Sequence, residues 1–257
     1  MAEVTVVVIC WGEYVRFLPG CVASLARDRG LVEVLVIDNA SSVPAPELPS
    51  WVALRRLDQP LSRARARNAA LALVTTELVC FLDVDDELVG GTLRALTRVM
   101  REQPELVCAA DSYGYWDGGE GPLRRGPWPA GWSYRLQSRQ RLLAVACAWR
   151  NAIPVTGPAL LRVSAARRAG GFSGELHDDW ACAAALAWQG PVRLRRRIGL
   201  KYRIHPGSVS RSPAVTRHPR AGACREVRAR ARAAGPWWMQ LVSPALALAQ
   251  LVDLCRR

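Results

Sequence analysis

Leu78-Val79-Cys80-Phe81-Leu82-Asp83-Val84-Asp85-Asp86-Glu87 runs from five consecutive apolar residues into three aspartates within four positions. Five apolar residues are too few for a stable helix and read as a strand buried on both faces. The acids cannot follow it into a core, because an unpaired buried carboxylate is very costly. They belong at the sheet's carboxyl edge, where open α/β folds collect ligands. In extended geometry Asp83 and Asp85 point the same way. Like charges that close need a cation between them or a shared proton. A hard divalent metal carrying substrate phosphates suits them, since it takes one or two carboxylates and leaves its other positions to phosphate and water. The competing reading is that Asp85, Asp86 and Glu87 cap a helix beginning near Leu88.

Outward from this stretch the chain alternates between strands and helices. Residues 3–10 are a β-branched strand, and 32–37 a second buried strand that also ends in an acid, Asp38. Between them, 17–27 has helical spacing, with Pro19 in the first turn. A third strand spans 51–57, and Ser62 caps a helix from Arg63 to about Leu73. Downstream, the pattern predicts a helix over 88–101, a strand over 105–109 and a long Gly-, Pro- and aromatic-rich loop over 111–132. It continues with a helix over 135–148, a strand over 155–162 broken by Gly157-Pro158, a helix over 178–188 and two short strands within 192–203. Such alternation predicts an α/β fold with right-handed crossovers and a largely parallel sheet.

Composition narrows the function. A chain of 257 residues, half of them apolar, can fill a full core and is not a disordered segment. The first apolar run follows Glu3 with no basic segment before it, which does not read as a secretory signal. Eight cysteines are scattered without a C-x-x-C pair, so structural zinc is disfavoured and a reducing cytoplasm is the expected home. The net charge of +13 comes from 35 basic residues of which a single one, Lys201, is lysine. That skew is better explained by coding bias than by a nucleic-acid ligand, although a positive field does favour anionic substrates or an anionic membrane face.

Acids recur where strands end or helices begin: Asp38, then Asp83, Asp85 and Asp86, then Asp178 and Asp179. Together they describe an acidic crevice along the sheet's carboxyl edge. From about Thr5 to Ser210 the chain resembles the inverting glycosyltransferases of family 2, which have the GT-A fold. The resemblance rests on ordered segments: Thr5-Val6-Val7-Val8-Ile9, Val36-Ile37-Asp38-Asn39-Ala40-Ser41, the Arg67-Asn68 pair in 61–70, and Phe81-Leu82-Asp83-Val84-Asp85-Asp86 as a D-x-D strand end. It continues through Gly157 to Arg162, Gly170-Gly171-Phe172, His177-Asp178-Asp179-Trp180, and Tyr202-Arg203-Ile204-His205 onward to Ser210. Departures are Leu61 and Ala70, which stand near positions where the family commonly has glycine, and Asp178 where it has glutamate.

The resemblance implies a Rossmann-like GT-A domain over 1–212, followed by a basic, then apolar, helical tail over 213–257. It implies metal-dependent transfer of a sugar from a nucleotide-sugar donor, with Mn2+ or Mg2+ as cofactor, to an unidentified hydroxyl acceptor. Asp85 is the expected direct metal ligand. Asp83 is expected at the ribose or a metal-bound water, and Asp86 behind them. His205 is either a metal or diphosphate contact or a solvated loop histidine. Asp38 is expected at the base or ribose and Arg67 at the diphosphate or base, whereas Arg63 and Arg65 read as surface charges. Inversion needs one carboxylate to take the acceptor's proton; Asp179 is that base and Asp178 positions it or the acceptor. Helix capping by the same two acids is a compatible reading.

The alternatives are a catalytically silent nucleotide-sugar-binding relative and a basic module that binds membrane or nucleic acid. In the tail, the basic run 225–232 precedes an apolar stretch, 237–252, containing Trp237 and Trp238. This stretch is too interrupted to be a clear membrane span. It suits an interfacial helix at the inner membrane face, a helix packed on the domain, or a homodimer contact.

Overall fold

Val4–Cys10 forms β1, and all seven of its residues are buried. The computed structural model describes residues 2–127, 129–174, 177–208, 220–241, 244, 245 and 247. Leu18–Ser24 forms α1, Val32–Asp38 β2, Val52–Arg56 β3, Arg63–Leu73 α2 and Leu78–Asp83 β4. Strands β1, β2, β3 and β4 are mutually parallel in the order β3-β2-β1-β4, with Ile9 beside both Ile37 and Asp83. This register brings the ends of β1, β2 and β4 to one edge, with Asp38 and Asp83 flanking the end of β1.

Side chains alternate across the sheet as a strand's two-residue period requires. Val7, Ile9, Val79 and Phe81 enter one core, while Val6, Val8, Cys80 and Leu82 enter the other. Burying each large side chain contributes about 1.5–3 kcal/mol, so both faces of the predicted strand are used. The seven described cysteines are all buried and outside any disulfide, acting as small hydrophobes.

The second half departs from the sequence expectation in several places. Glu87–Leu88 is a short strand, β5, and the helix α3 spans Thr92–Glu102. Gly91, in the left-handed region at φ 81°, stands at its N-cap with no side-chain cap bond, so the acids at 85–87 do not cap it. Strand β6 runs Cys108–Trp116 and turns back through the short β7, Arg124–Arg125. Residues 111–116 and 124–125 of the predicted loop are therefore sheet: Ser112 is buried and paired with β9, and Asp111 is buried against Arg195 rather than solvated. The helix expected over 135–148 is two, α4 over Gly131–Leu136 and α5 over Gln140–Trp149. Strand β8, Ala159–Arg162, is shorter than expected, and α6 covers Val163–Arg168. Helix α7 spans Asp178–Leu186 and β9 is one strand over Val192–Arg203, not two; its irregularity is a register shift opposite Ser112.

Strand β8 pairs antiparallel with β4 and β6, and β6 pairs parallel with β9, giving the full order β3-β2-β1-β4-β8-β6-β9-β5. The result is a mixed sheet with a parallel nucleotide-fold half, flanked by helices. Helix α8, Arg220–Ala234, packs on α7 and α5 and places Val227 and Ala231 in the main core. The predicted apolar helix over 237–252 lies largely outside the described residues, as do Trp128 and Ser210. Among the described residues no helix is long and apolar enough to cross a membrane.

Candidate active site

Three segments converge where β4 ends. The first is the acid turn itself. Strand β4 stops at Asp83, and Val84 and Asp85 form a turn rather than extended chain, which corrects the same-face expectation. The turn is held from β9. Arg203 donates its backbone N–H to Asp86 Oδ1 at 2.9 Å, its Nε to Asp85 O at 2.8 Å and an Nη to Glu87 at 3.2 Å. The Arg203 guanidinium is sandwiched between Trp116 and Phe17. His205 Nε2 stands 3.1 Å from Asp85 Oδ2, its ring against Tyr14 and Phe17.

Crowding sets the electrostatics here. Burial, then the charge of Asp83, raises Asp85, while His205 works against both. Burial pushes Asp86 well up, reinforced by Asp85 and Asp83. Among the described residues no group of three or more His, Cys, Asp or Glu side chains is arranged to hold a metal alone. A carboxylate and an imidazole side by side at a crowded acidic turn do form a donor pair suited to a divalent ion that takes its remaining ligands from phosphate and water.

The second segment is α2. Its start follows sequence rules, with Ser62 Oγ accepting from Arg65 N–H at 3.4 Å. Arg63 and Arg67, one turn apart, share a face, and as like charges they would repel on an isolated helix. Asp178 resolves this: Arg63 meets its Oδ1 at 2.7 Å and Arg67 its Oδ2 at 2.7 Å. Arg67 also reaches Asp83 at 2.6 Å. The reading of Arg63 needs correction. Arg63 is no simple surface charge but a partner of a fully buried aspartate, whereas Arg65 is exposed as expected. Arg67, its side chain only 4% exposed, pairs its guanidinium with two carboxylates, Asp83 and Asp178. It bridges the β4 edge to the start of α7.

The third segment is the Gly170-Gly171-Phe172 turn leading to α7. Asn68 binds it reciprocally: Nδ2 donates to Phe172 O and Phe172 N–H donates to Oδ1, both at 2.8 Å. The Phe172 ring packs edge-on against Phe81 at 4.7 Å and carries the Arg67 guanidinium at 5.3 Å. Arg67 and Asn68, adjacent in sequence, thus fix the acids and the turn respectively. From α8, Arg230 donates to Gly170 O, Gly171 O and Ser173 Oγ.

The two acids opening α7 differ in state. Burial works to raise Asp178, but Arg67 and Arg63 overcome it and hold the carboxyl below the ordinary aspartate range. Asp179 is raised by burial and by the charge of Asp178, against the pull of Arg63, Arg67 and His177. Both oxygens of Asp178 are occupied by guanidinium; Asp179 accepts from Asn151 Nδ2 at 3.0 Å. His177 at the N-cap makes no side-chain cap bond, and both acids stand in the first turn of α7.

Asp38 lies apart from this network, at the end of β2. It is buried, paired with Arg56 at 2.6 Å, and accepts the Ser41 N–H at 2.8 Å. Sequence reasoning missed Arg63, Asn151 and Arg230, and quoted Arg203 without a role. Arg63 carried a signal in its one-turn spacing from Arg67; Asn151 and Arg230 carried none.

A mixed sheet of this order with acids along its carboxyl edge defines a GT-A-type α/β enzyme. The family model for Glycosyl transferase family 2 matches residues 5–170, and the chain belongs to that family of transferases. Solved structures agree on the fold. TarS of S. aureus, residues 1–349 in complex with UDP-GlcNAc, superposes with a TM-score of 0.68 at 15% identity, over 97% of this chain and 71% of that one. The mannosyltransferase PcManGT from Pyrobaculum calidifontis, in complex with GDP-Man and Mn2+, superposes at 0.63 with 19% identity, over 99% of this chain and 74% of that one. No curated protein matches the chain by sequence.

Proposed function

We propose that this enzyme transfers a sugar from a nucleotide-sugar donor to a hydroxyl acceptor with inversion, assisted by a divalent metal. The observation that carries the reading is the Arg67 bridge, which joins Asp83 at the acid turn to Asp178 at the start of α7 within one buried network. The two GT-A structures named above hold UDP-GlcNAc and GDP-Man with Mn2+, which supports a donor of this class.

Asp85, with His205 beside it, would hold the metal, and Asp83 would face the ribose or a metal-bound water. When bound, the ion supplies neutralisation of charge on the departing diphosphate. The acceptor oxygen attacks the anomeric carbon as the bond to the diphosphate oxygen breaks, and the diphosphate leaves with the electron pair. Asp179 takes the acceptor's proton. Asp178, saturated by two guanidinium groups, cannot take it and instead orients the start of α7. Asp38, with Arg56, belongs to the nucleoside end of the site. We also assign the tail a peripheral contact with an anionic membrane surface: Trp237 and Leu241 are 75% and 69% exposed, and Arg225 and Arg232 of the same tail are exposed too.

The test is calorimetric titration of UDP-GlcNAc, GDP-mannose and other nucleotide sugars into wild type and Asp85→Ala, with and without Mn2+. Metal-dependent binding of one donor, lost in Asp85→Ala, is the expected result. Absence of binding by any nucleotide would overturn the reading and favour a basic binding module.

A further inference from the structure

Asp179 receives a hydrogen bond from a residue that belongs to no recognised motif. Asn151 reaches it from 28 positions upstream, Nδ2 to Oδ2 at 3.0 Å. Asn151 stands just beyond α5, where Arg150 has already turned extended (φ −139°, ψ 149°) while its N–H still bonds Ala146 O. Ala152 and Ile153, which follow, are fully buried. On the other side, Trp180 donates its indole N–H to Cys147 O at 2.6 Å, docking the start of α7 on the last turn of α5. Donor and acceptor are therefore each carried on an anchored element, and the bond between them is not a contact of two loose side chains.

We propose that Asn151 is a positioning residue for the transfer reaction, fixing the carboxylate plane of Asp179 and leaving Oδ1 for the acceptor's proton. This rests on the assignment of Asp179 as the base. An amide N–H can only donate, so its bond to Oδ2 favours the ionised carboxylate, which is the form a base requires. It works against the burial and the Asp178 charge that favour the protonated form. The charged and titratable groups acting on Asp179 are Asp178 and His177 beside it in sequence and Arg63 and Arg67 from α2. Asn151 is neutral, so removing its amide alters the hydrogen bond and leaves that charge set intact.

The test follows the Asp179 carboxyl by carbon-13 NMR titration of the full chain, its resonance identified by loss in Asp179→Asn. In parallel, nucleoside diphosphate release is measured from UDP-GlcNAc or GDP-mannose with Mn2+, water serving as acceptor. Asn151→Ala is expected to move the Asp179 titration and the acid limb of kcat together to higher pH. It should lower kcat roughly tenfold, the loss of a charge-assisted hydrogen bond, and leave KM for the donor within about twofold. Asn151→Ser, which keeps a donor, should recover part of both. A merely structural Asn151 would lower Tm and leave the Asp179 titration in place, and that result overturns the proposal. If Asn151→Ala fails to fold, Asn151→Asp decides: its added charge must drive the titration higher still, and an unchanged titration again overturns it. Wild-type turnover in Asp179→Asn would sink the base assignment instead, with the NMR arm still reporting whether Asn151 holds that carboxylate.

Discussion

At the scale of single residues, the site separates two adjacent aspartates by their partners. Asp178 has its charge matched by Arg63 and Arg67, while Asp179 keeps one neutral hydrogen-bond partner and a raised pKa. Asp179→Asn should therefore reduce transfer by about 10²–10⁴ with donor affinity retained, as measured by turnover and calorimetry on the same preparations. A base works deprotonated, and burial favours its protonated form. Activity should accordingly fall as pH drops through a value above the ordinary aspartate range. Asp178 acts oppositely on stability. Its folded-state value is lowered, so its stabilising contribution is complete above the unfolded value of about 3.9 and is lost as pH falls through the lowered one. Arg67→Met removes one of the two guanidinium groups that match the buried Asp178 and leaves Arg63 alone to offset it. Urea unfolding should report a loss of about 3 kcal/mol, larger than any gain from the methionine's packing.

At the scale of elements, the Gly170-Gly171-Phe172 turn is the joint between α2, α7 and α8. Gly170 and Gly171 both sit in the left-handed region, at φ 78° and 65°, and a Cβ on Gly171 would meet Asn68 Oδ1. Gly171→Ala should cost about 1–3 kcal/mol through backbone strain and also disturb the Asn68 pair that seats Phe172. Arg230→Ala removes three hydrogen bonds from α8 to the same turn. A loss of about 1–3 kcal/mol in thermal unfolding is expected, accompanied by a fall in kcat because the turn leads directly into Asp178 and Asp179. An unchanged melting curve for Arg230→Ala would mean that α8 is held by its apolar face alone. That face is substantial, since Cys224, Val227 and Ala231 are all buried.

At the scale of the whole molecule, the parallel half of the sheet and the mixed half have different duties. The parallel half aligns strand ends so that Asp38 and Asp83 line one edge. The mixed half sends β9 back to clasp the acid turn through Arg203, Lys201 and His205. In the tail, exposed Arg225 and Arg232 lie in the same stretch of sequence as exposed Trp237 and Leu241. Sedimentation with vesicles of anionic lipid should recover the wild type at low salt, less at high salt, and little of the Trp237→Ser/Leu241→Ser double variant. Equal recovery with neutral vesicles, or a dimer that buries both side chains, would reject the membrane assignment.

The sequence by itself determined the strands of the parallel half, the Ser62 start of α2 and the family, because each is written in local pattern: apolar runs, a cap residue, ordered short motifs. It also drew attention to the acids at 83–86, since a carboxylate abutting a buried run has to lie at an edge. Tertiary structure decided what those patterns left open. Buried Asp111 and Ser112 extend β6 into a segment whose glycines, prolines and aromatics read as loop. Arg63 reads as a surface charge until Asp178, more than a hundred positions away, supplies the counter-charge that ties it and the buried Arg67 to the start of α7. Asn151 and Arg230 have no local signature at all. Their partners are brought to them by the packing of α5, α7 and α8, and a hydrogen bond between distant positions leaves no periodicity in the chain that makes it.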